Sequence, residues 1–180
     1  MIIKWIKGNG EKLLTIRILN ESDAQLYQEL RLSALKINPE AFGSTYEREA
    51  KFTLETVAER LKPNDNKFVL GAFEDRNLLV GIVTFVRESS LKTAHKGNVF
   101  GMFVKPEMRG QGLGKLLLLE LLKKAKDCIG LEQINLTVIS NNEPAKNLYR
   151  SIGFQNYGVE KNALKDNGKY FDEDLMVLKI

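Results

Sequence analysis

From Val99 to Ile139 the chain reads as strand, glycine-rich turn, amphipathic helix and strand, and this order limits its topology more than any other stretch. "GNVFGMFVKP" alternates and stops at Pro106, "RGQGLGKLLLLELLKK" sets glycines at 110, 112 and 114 ahead of a leucine-rich run, and "EQINLTVI" follows. Such a crossover lays two parallel strands side by side, because the intervening helix returns the chain to the same end of the sheet. Leu117, Leu118, Leu121, Leu122, Ala125, Cys128 and Ile129 span an arc of about 140° at roughly 100° per residue, a face expected to lie on a sheet. Lys115, Lys123, Lys126 and Asp127 fall outside it.

The rest of the chain is arranged around this unit without internal repeats or low-complexity tracts. "LTIRIL", Leu14 to Leu19, predicts a strand, and helical spacing at Ala24, Tyr27, Leu30, Leu32 and Leu35 predicts a helix that Asn20 or Ser22 can cap. Pro39 ends it, "PEAFGSTYEREAKF" reads as loop, and a short helix is expected over Leu54 to Leu61. "KFVLGAFE" and "NLLVGIVTFV", joined by "EDRN", predict a hairpin. "EPAKNLYRSI" predicts a helix with Asn142 as cap and Pro144 in its first turn, ended by Gly153. Phe154 to Glu160 and Tyr170 to Ile180 give two last strands. The expectation is one mixed α/β domain over 1–180, with residues 1–13 a possible extension that frays or adds an edge strand.

Composition closes off several classes. No apolar run reaches the roughly 18 residues of a bilayer span, and "MIIKWIKGNG" is too short and too broken by lysines for a secretory segment, so a cytoplasmic, membrane-free protein is expected. The single cysteine, Cys128, cannot form an internal disulfide and is expected to be packed on the helix face. A net charge of +4 favours anionic partners, yet lysines and arginines are scattered among acids and no aromatics interleave with a basic stripe, so nucleic acid is not expected.

Three phosphate sites compete for the glycine turn. A nucleotide P-loop requires a hydroxyl after the Gly-Lys pair and a glycine five residues earlier; Leu116 and Arg109 stand there instead. A dinucleotide turn requires G-x-G-x-x-G in the unit that opens the fold, and here the third glycine comes one residue early, after several other strands. What remains is an anion site built of amides, since the start of a helix carries unpaired N–H groups and the positive end of its dipole. The plainer alternative is that the glycines only make a tight strand-to-helix turn.

"VKPEMRGQGLGKLLLLELL" resembles the acetyl-CoA-binding signature of the GCN5-related N-acetyltransferases (GNAT), [QR]-x-x-G-x-[GA], with Arg109, Gly112 and Gly114 at its fixed positions. "NEPAKNLYRSIGF" is similar to the family's second signature, matched by Asn142, Ala145, Leu148, Tyr149, Gly153 and Phe154. The resemblance runs from about Leu14 to the closing "DEDLMVLKI". It implies a twisted, mostly antiparallel sheet flanked by helices, with one parallel pair splayed around acetyl-CoA as co-substrate, and no metal. It implies that the amides of Arg109, Gly110, Gln111, Gly112, Leu113 and Gly114 hold the pyrophosphate. The pantetheine arm would lie like an extra strand along Met102, Phe103 and Val104, with Asn142 bonding it and Tyr149 aiming its hydroxyl at the thioester sulfur.

Direct transfer to an amine needs a neutral nucleophile, a donor for the carbonyl oxygen and a proton for the thiolate. An alkyl amine of pKa about 10.4 costs about 4.6 kcal/mol to deprotonate at pH 7. A backbone N–H of Met102, Phe103 or Val104 can serve the oxygen, and Tyr149 is the candidate acid. Many relatives carry a glutamate on the strand before the glycine turn, whereas "GNVFGMFV" holds no acid. Glu47, Glu49 and His95 are candidates acting through water, and Asp172, Glu173 and Asp174 could line a site for a cationic acceptor. The acceptor, a small-molecule or peptide amine, is expected to be chosen by the segments 39–49 and 157–169. A non-catalytic acyl-CoA sensor is the alternative reading, and a monomer or a homodimer fits equally.

Overall fold

The computed structural model describes residues 2–7, 10–75 and 78–180. In chain order its elements are β1 (Ile2–Lys7), β2 (Gly10–Ile18), α1 (Ala24–Ile37), α2 (Tyr46–Glu49), α3 (Leu54–Leu61), β3 (Lys67–Glu74), β4 (Leu78–Arg87), β5 (Lys96–Val104), α4 (Leu113–Ala125), β6 (Gln133–Ile139), α5 (Glu143–Arg150), β7 (Gln155–Asp166) and β8 (Lys169–Lys179). The strands form one twisted sheet in the order β1-β2-β3-β4-β5-β6-β8-β7. β5 and β6 are its parallel pair, joined by α4, and the other neighbours are antiparallel.

Alternation along the strands splits the apolar residues between two layers. Leu30 and Ala34 of α1 and Val57 and Leu61 of α3 bury against Val69, Phe73, Ile82 and Phe103 on one face. On the other, Leu117, Leu118, Leu121 and Leu122 of α4 join Leu70, Phe85, Val99, Ile134 and Leu136. At roughly 1.5–3 kcal/mol for each buried leucine, these four side chains hold α4 to the sheet by about 6–12 kcal/mol before ordering costs. That rigidity fixes the start of the helix, where the glycine turn lies.

Three expectations meet a different outcome. The apolar face of α4 does not reach Cys128 and Ile129, because the helix stops at Ala125 and Cys128 N–H bonds back to the Ala125 carbonyl. Cys128 is half-buried with its thiol donating to Asp65 O at 3.2 Å, and Ile129 is exposed. Inside "PEAFGSTYEREAKF" Thr45 caps the short helix α2 by accepting from Arg48 N–H. The segment 157–169 is a long twisted hairpin rather than a loop: β7 and β8 pair almost to the tip and turn at Asn167 and Gly168, both at positive φ. "DNG" is a strong hairpin signal of the mirror-image turn type. The first residues add an edge strand, β1, paired with β2. In the predicted hairpin β3–β4, Arg76 and Asn77 lie outside the described residues.

Candidate active site

The parallel pair is short. β5 and β6 are in register only at Lys96–Gln133, Gly97–Ile134 and Asn98–Asn135, and beyond them the strands part. The cause is a β-bulge in β5: Phe100 pairs with Thr84 and Phe103 with Ile82, so Gly101 and Met102 together oppose Val83. Gly101 has φ +58°, a conformation side chains resist, which marks the bulge in the sequence. A bulge bends its strand, and here it turns β5 away from β6.

The ladder decides which peptides face the gap. Glu88 N–H bonds Lys96 O and Lys105 N–H bonds Val80 O, and alternation between these fixed pairs turns the peptide of Phe103 toward β4. Met102 and Val104 therefore face the gap, while the Phe103 side chain is buried with α1. Of the three expected donors, Phe103 is thus committed to the sheet. On the far side Ser140 N–H bonds Asp172 O and Ile180 N–H bonds Glu132 O, so Thr137 and Ile139 turn their peptides to the gap.

The turn from Arg109 to Gly114 closes one end of this gap. Gly110 and Gly112 have φ +72° and +81°, so the backbone curls where no side chain stands. Among the described residues none accepts from the N–H of Gly110, Gly112, Leu113 or Gly114, and no side chain caps α4. These donors and the helix dipole suit a diphosphate. Arg109 takes another part: its N–H donates to Pro106 O at 3.1 Å. Its guanidinium donates to Val104 O at 2.9 Å and Asn38 Oδ1 at 2.8 Å, bracing the turn against the end of β5. The Gln111 side chain donates to Glu107 O at 3.0 Å. At Gly114 a Cβ would come within 3.2 Å of both Leu148 and Met102, so glycine there lets α4 approach α5 and β5 closely.

α5 supplies the other wall. Asn142 accepts from Ala145 N–H at 3.2 Å as the helix cap, which leaves its amide NH2 to donate elsewhere. Tyr149 is buried, its ring edge-on to Phe154, and its hydroxyl donates to Met102 Sδ at 3.6 Å. Burial pushes the phenol up to about 12, so it stays protonated through neutral pH. The helix is pinned by Lys146, whose ammonium meets Ser140 O at 2.7 Å, Glu143 at 2.9 Å and Asp174 at 3.0 Å. Neither Lys146 nor Gly101 belongs to a sequence signature; only the positive φ demanded at Gly101 could have been read in advance.

Residues 16–175 match the family described as acetyltransferase (GNAT) domain. The chain belongs to the GNAT family of acetyltransferases. A prophage-derived uncharacterized N-acetyltransferase of Bacillus subtilis (strain 168), YokL, is 27% identical over 165 residues, which are 91% of this chain and 87% of that protein. A GNAT-family acetyltransferase structure from Streptococcus pneumoniae superimposes with a TM-score of 0.82 at 26% identity, covering 93% of this chain and 99% of that one. The fold is shared with yncA of Salmonella typhimurium, solved with its cofactor acetyl-CoA, at a TM-score of 0.71 and 22% identity over 92% of this chain and 93% of that one. GNAT enzymes are acyl-CoA-dependent, and the amide turn, the gap and the half-free Asn142 of this chain fit the phosphates and amide-bearing arm of such a donor.

The face carrying α1 lies across the sheet from α4. A cleft of about 500 Å³ opens there between Lys36, Phe42 and Tyr46 on one side and Leu164, Lys165 and Phe171 of the β7–β8 hairpin on the other, bringing together both segments expected to choose the acceptor. The acids separate by environment. Burial would raise the Glu49 carboxyl, but Arg31, with Ser44 and Arg60, holds it below its usual value, and the Arg31 bonds of 2.9 and 3.0 Å occupy both oxygens. Asp172 pairs with Lys161 at 2.8 Å, and Asp174 is buried between Lys146 and Ser140. Glu173 differs: half-buried, it accepts from Thr137 Oγ1 at 3.1 Å, and burial, helped by the Glu160 charge, raises its carboxyl above the ordinary glutamate value. No described cation pairs with it. His95 lies at the opposite end of β5, where its carbonyl accepts from Glu132 and Gln133 and the parallel pair is closed. Among the described residues no helix is long and apolar enough to cross a membrane.

Proposed function

We propose that this protein moves an acetyl group from acetyl-CoA to a primary amine by direct transfer within a ternary complex. The observation that carries the reading is the gap between β5 and β6, bordered by the Met102 and Val104 peptides, with the Tyr149 hydroxyl beside Met102 at its wall. Acetyl-CoA brings the activated acyl group. The amides of Gly110, Gly112, Leu113 and Gly114 hold its diphosphate, while Met102, Val104 and Asn142 bond the amide-bearing arm as strand would bond strand. A Met102 or Val104 N–H steadies the carbonyl oxygen as charge gathers on it.

Tyr149 gives its hydrogen bond, and then its proton, to the departing sulfur. Glu173 takes the proton of the incoming amine through water, because its raised affinity for a proton suits a base better than the ion-paired Glu49. The test is release of free CoA thiol from acetyl-CoA with a panel of amines. Thiol release dependent on the amine supports transfer; acetyl-CoA binding without release by any amine identifies a sensor instead.

A further inference from the structure

We propose that Arg31 receives a carboxylate carried by the acceptor, so that the amines acetylated here are amino acids. This rests on the acetyl-transfer reading above. Arg31 stands in α1, only 9% exposed. Its Nε and Nη2 are spent on the two oxygens of Glu49, at 3.0 and 2.9 Å. Nη1 is buried without a hydrogen-bond partner. A guanidinium loses its N–H potential in the interior only where something else satisfies it, since an unmet charged donor is among the most costly of buried groups.

Nη1 lies at the β5 bulge. A Cβ built on Gly101 would be 3.9 Å from Nη1 and 3.8 Å from Thr84 Oγ1, so the glycine leaves the space under the guanidinium free of side chain. The next residue, Met102, turns its peptide into the gap where the acyl group is held. Nη1 thus stands over the residue next to Met102, and an acceptor whose amine and carboxylate sit on one carbon, as in an α-amino acid, can address both.

Arg60 lies close by, lining one small chamber with Arg31 and Glu49, so the ion pair stands among two guanidinium groups and one carboxylate. The Phe42 ring lies over the guanidinium with its centroid 4.6 Å from Cζ and also lines the cleft, so it borders both. Phe100, which follows the buried Val99 and so points to the α1 face, is 54% exposed beside the bulge and offers an apolar wall for a side chain.

The experiment measures thiol release with leucine, methionine and phenylalanine, with their carboxamides, with isoamylamine and phenethylamine, and with spermidine. The expected kcat/KM for each acid exceeds that of its amide and its decarboxylated amine by at least about tenfold, the smaller end of what one charge-assisted hydrogen bond is worth. Arg31→Lys, which keeps a charge for Glu49 but loses the fork, should bring the ratio of acid to amine close to one, with a cooperative thermal melt to certify folding. Should that variant fail to fold, the double substitution Arg31→Gln with Glu49→Gln, which keeps a neutral side-chain pair, is read the same way. Amines without a carboxylate used as well as the acids overturn this inference and leave acetyl transfer standing. No thiol release with any compound removes both.

Discussion

The Tyr149 hydroxyl donates to the sulfur of Met102 at 3.6 Å, tying α5 to β5 beside the bulge that parts β5 from β6. A phenol that already bonds a thioether sulfur is oriented for a thioester sulfur, and Met102 is flexible enough to give way. Tyr149→Phe keeps the ring against Phe154 and removes only the donor. Turnover should fall by about 100-fold, within the usual range for a lost general acid, while acetyl-CoA affinity stays within about twofold. Steady-state kinetics with calorimetric titration of the donor check both; equal turnover takes Tyr149 out of the mechanism.

Gly112 tests the amide cradle. Its φ of +81° strains any L residue, but asparagine and aspartate tolerate that conformation better than most. Comparing Gly112→Asn with Gly112→Asp cancels the strain and leaves a charge. The aspartate variant should bind acetyl-CoA at least about tenfold more weakly than the asparagine variant, one charge repulsion near a partly exposed site. Equal affinities in calorimetry would mean that no phosphate sits at this turn.

Glu173 should trade stability for activity. Its carboxyl is raised mainly by burial, so the stability it contributes is present below the unfolded value of 4.5 and is lost as pH rises through the folded value. At pH 7 Glu173→Gln should therefore raise Tm, and near pH 4 the gain should vanish. Turnover should drop by about 100-fold or more, as for a lost general base. In the unmodified enzyme kcat/KM should fall on acidification through the raised Glu173 value, and a lowered Tm for the variant at neutral pH would argue against the burial described.

Asp174 has the opposite sign. Burial alone would raise it, but Ser140, Lys146 and Asn156 hold it below its ordinary value, so its contribution is present above the unfolded pKa and lost as pH falls through the lowered one. Asp174→Asn should lower Tm at pH 7. The difference from the unmodified protein should begin to shrink as pH falls below the ordinary aspartate value of about 3.9 and vanish only once pH has passed through the lowered value of the native pair. Thermal melts between pH 2 and pH 7, a range bracketing about one carboxylate titration, read this directly.

Much of the scaffold could be read from local pattern. The order of strands and helices, the crossover and both signatures are properties of neighbouring residues, and α3 begins and ends where its spacing put it. What escaped depends on distant partners. Arg31 and Glu49 are 18 positions apart, and Lys146 meets Asp174 across two elements, so no periodicity announces either pair. The Phe103 peptide parts company with its neighbours because the bulge at Gly101 shifts the ladder by one residue, and a strand without its partner has no ladder to read. Cys128 and Ile129 continue the apolar arc of α4 in angle alone, since the backbone had already left the helix at Ala125.

The claim beneath all of this is that bare peptide donors after Pro106 grip a diphosphate and so aim the acyl end at Tyr149. Titrating 15N-labelled protein with acetyl-CoA and, separately, with acetyl-pantetheine, which lacks the diphosphate, tests it residue by residue. With acetyl-CoA the amide signals of Gly110, Gly112, Leu113 and Gly114 should move most, together with those of Met102 and Val104. Acetyl-pantetheine should shift Met102 and Val104 while leaving the glycine turn still. Large shifts elsewhere, with the turn unmoved by acetyl-CoA, would contradict it.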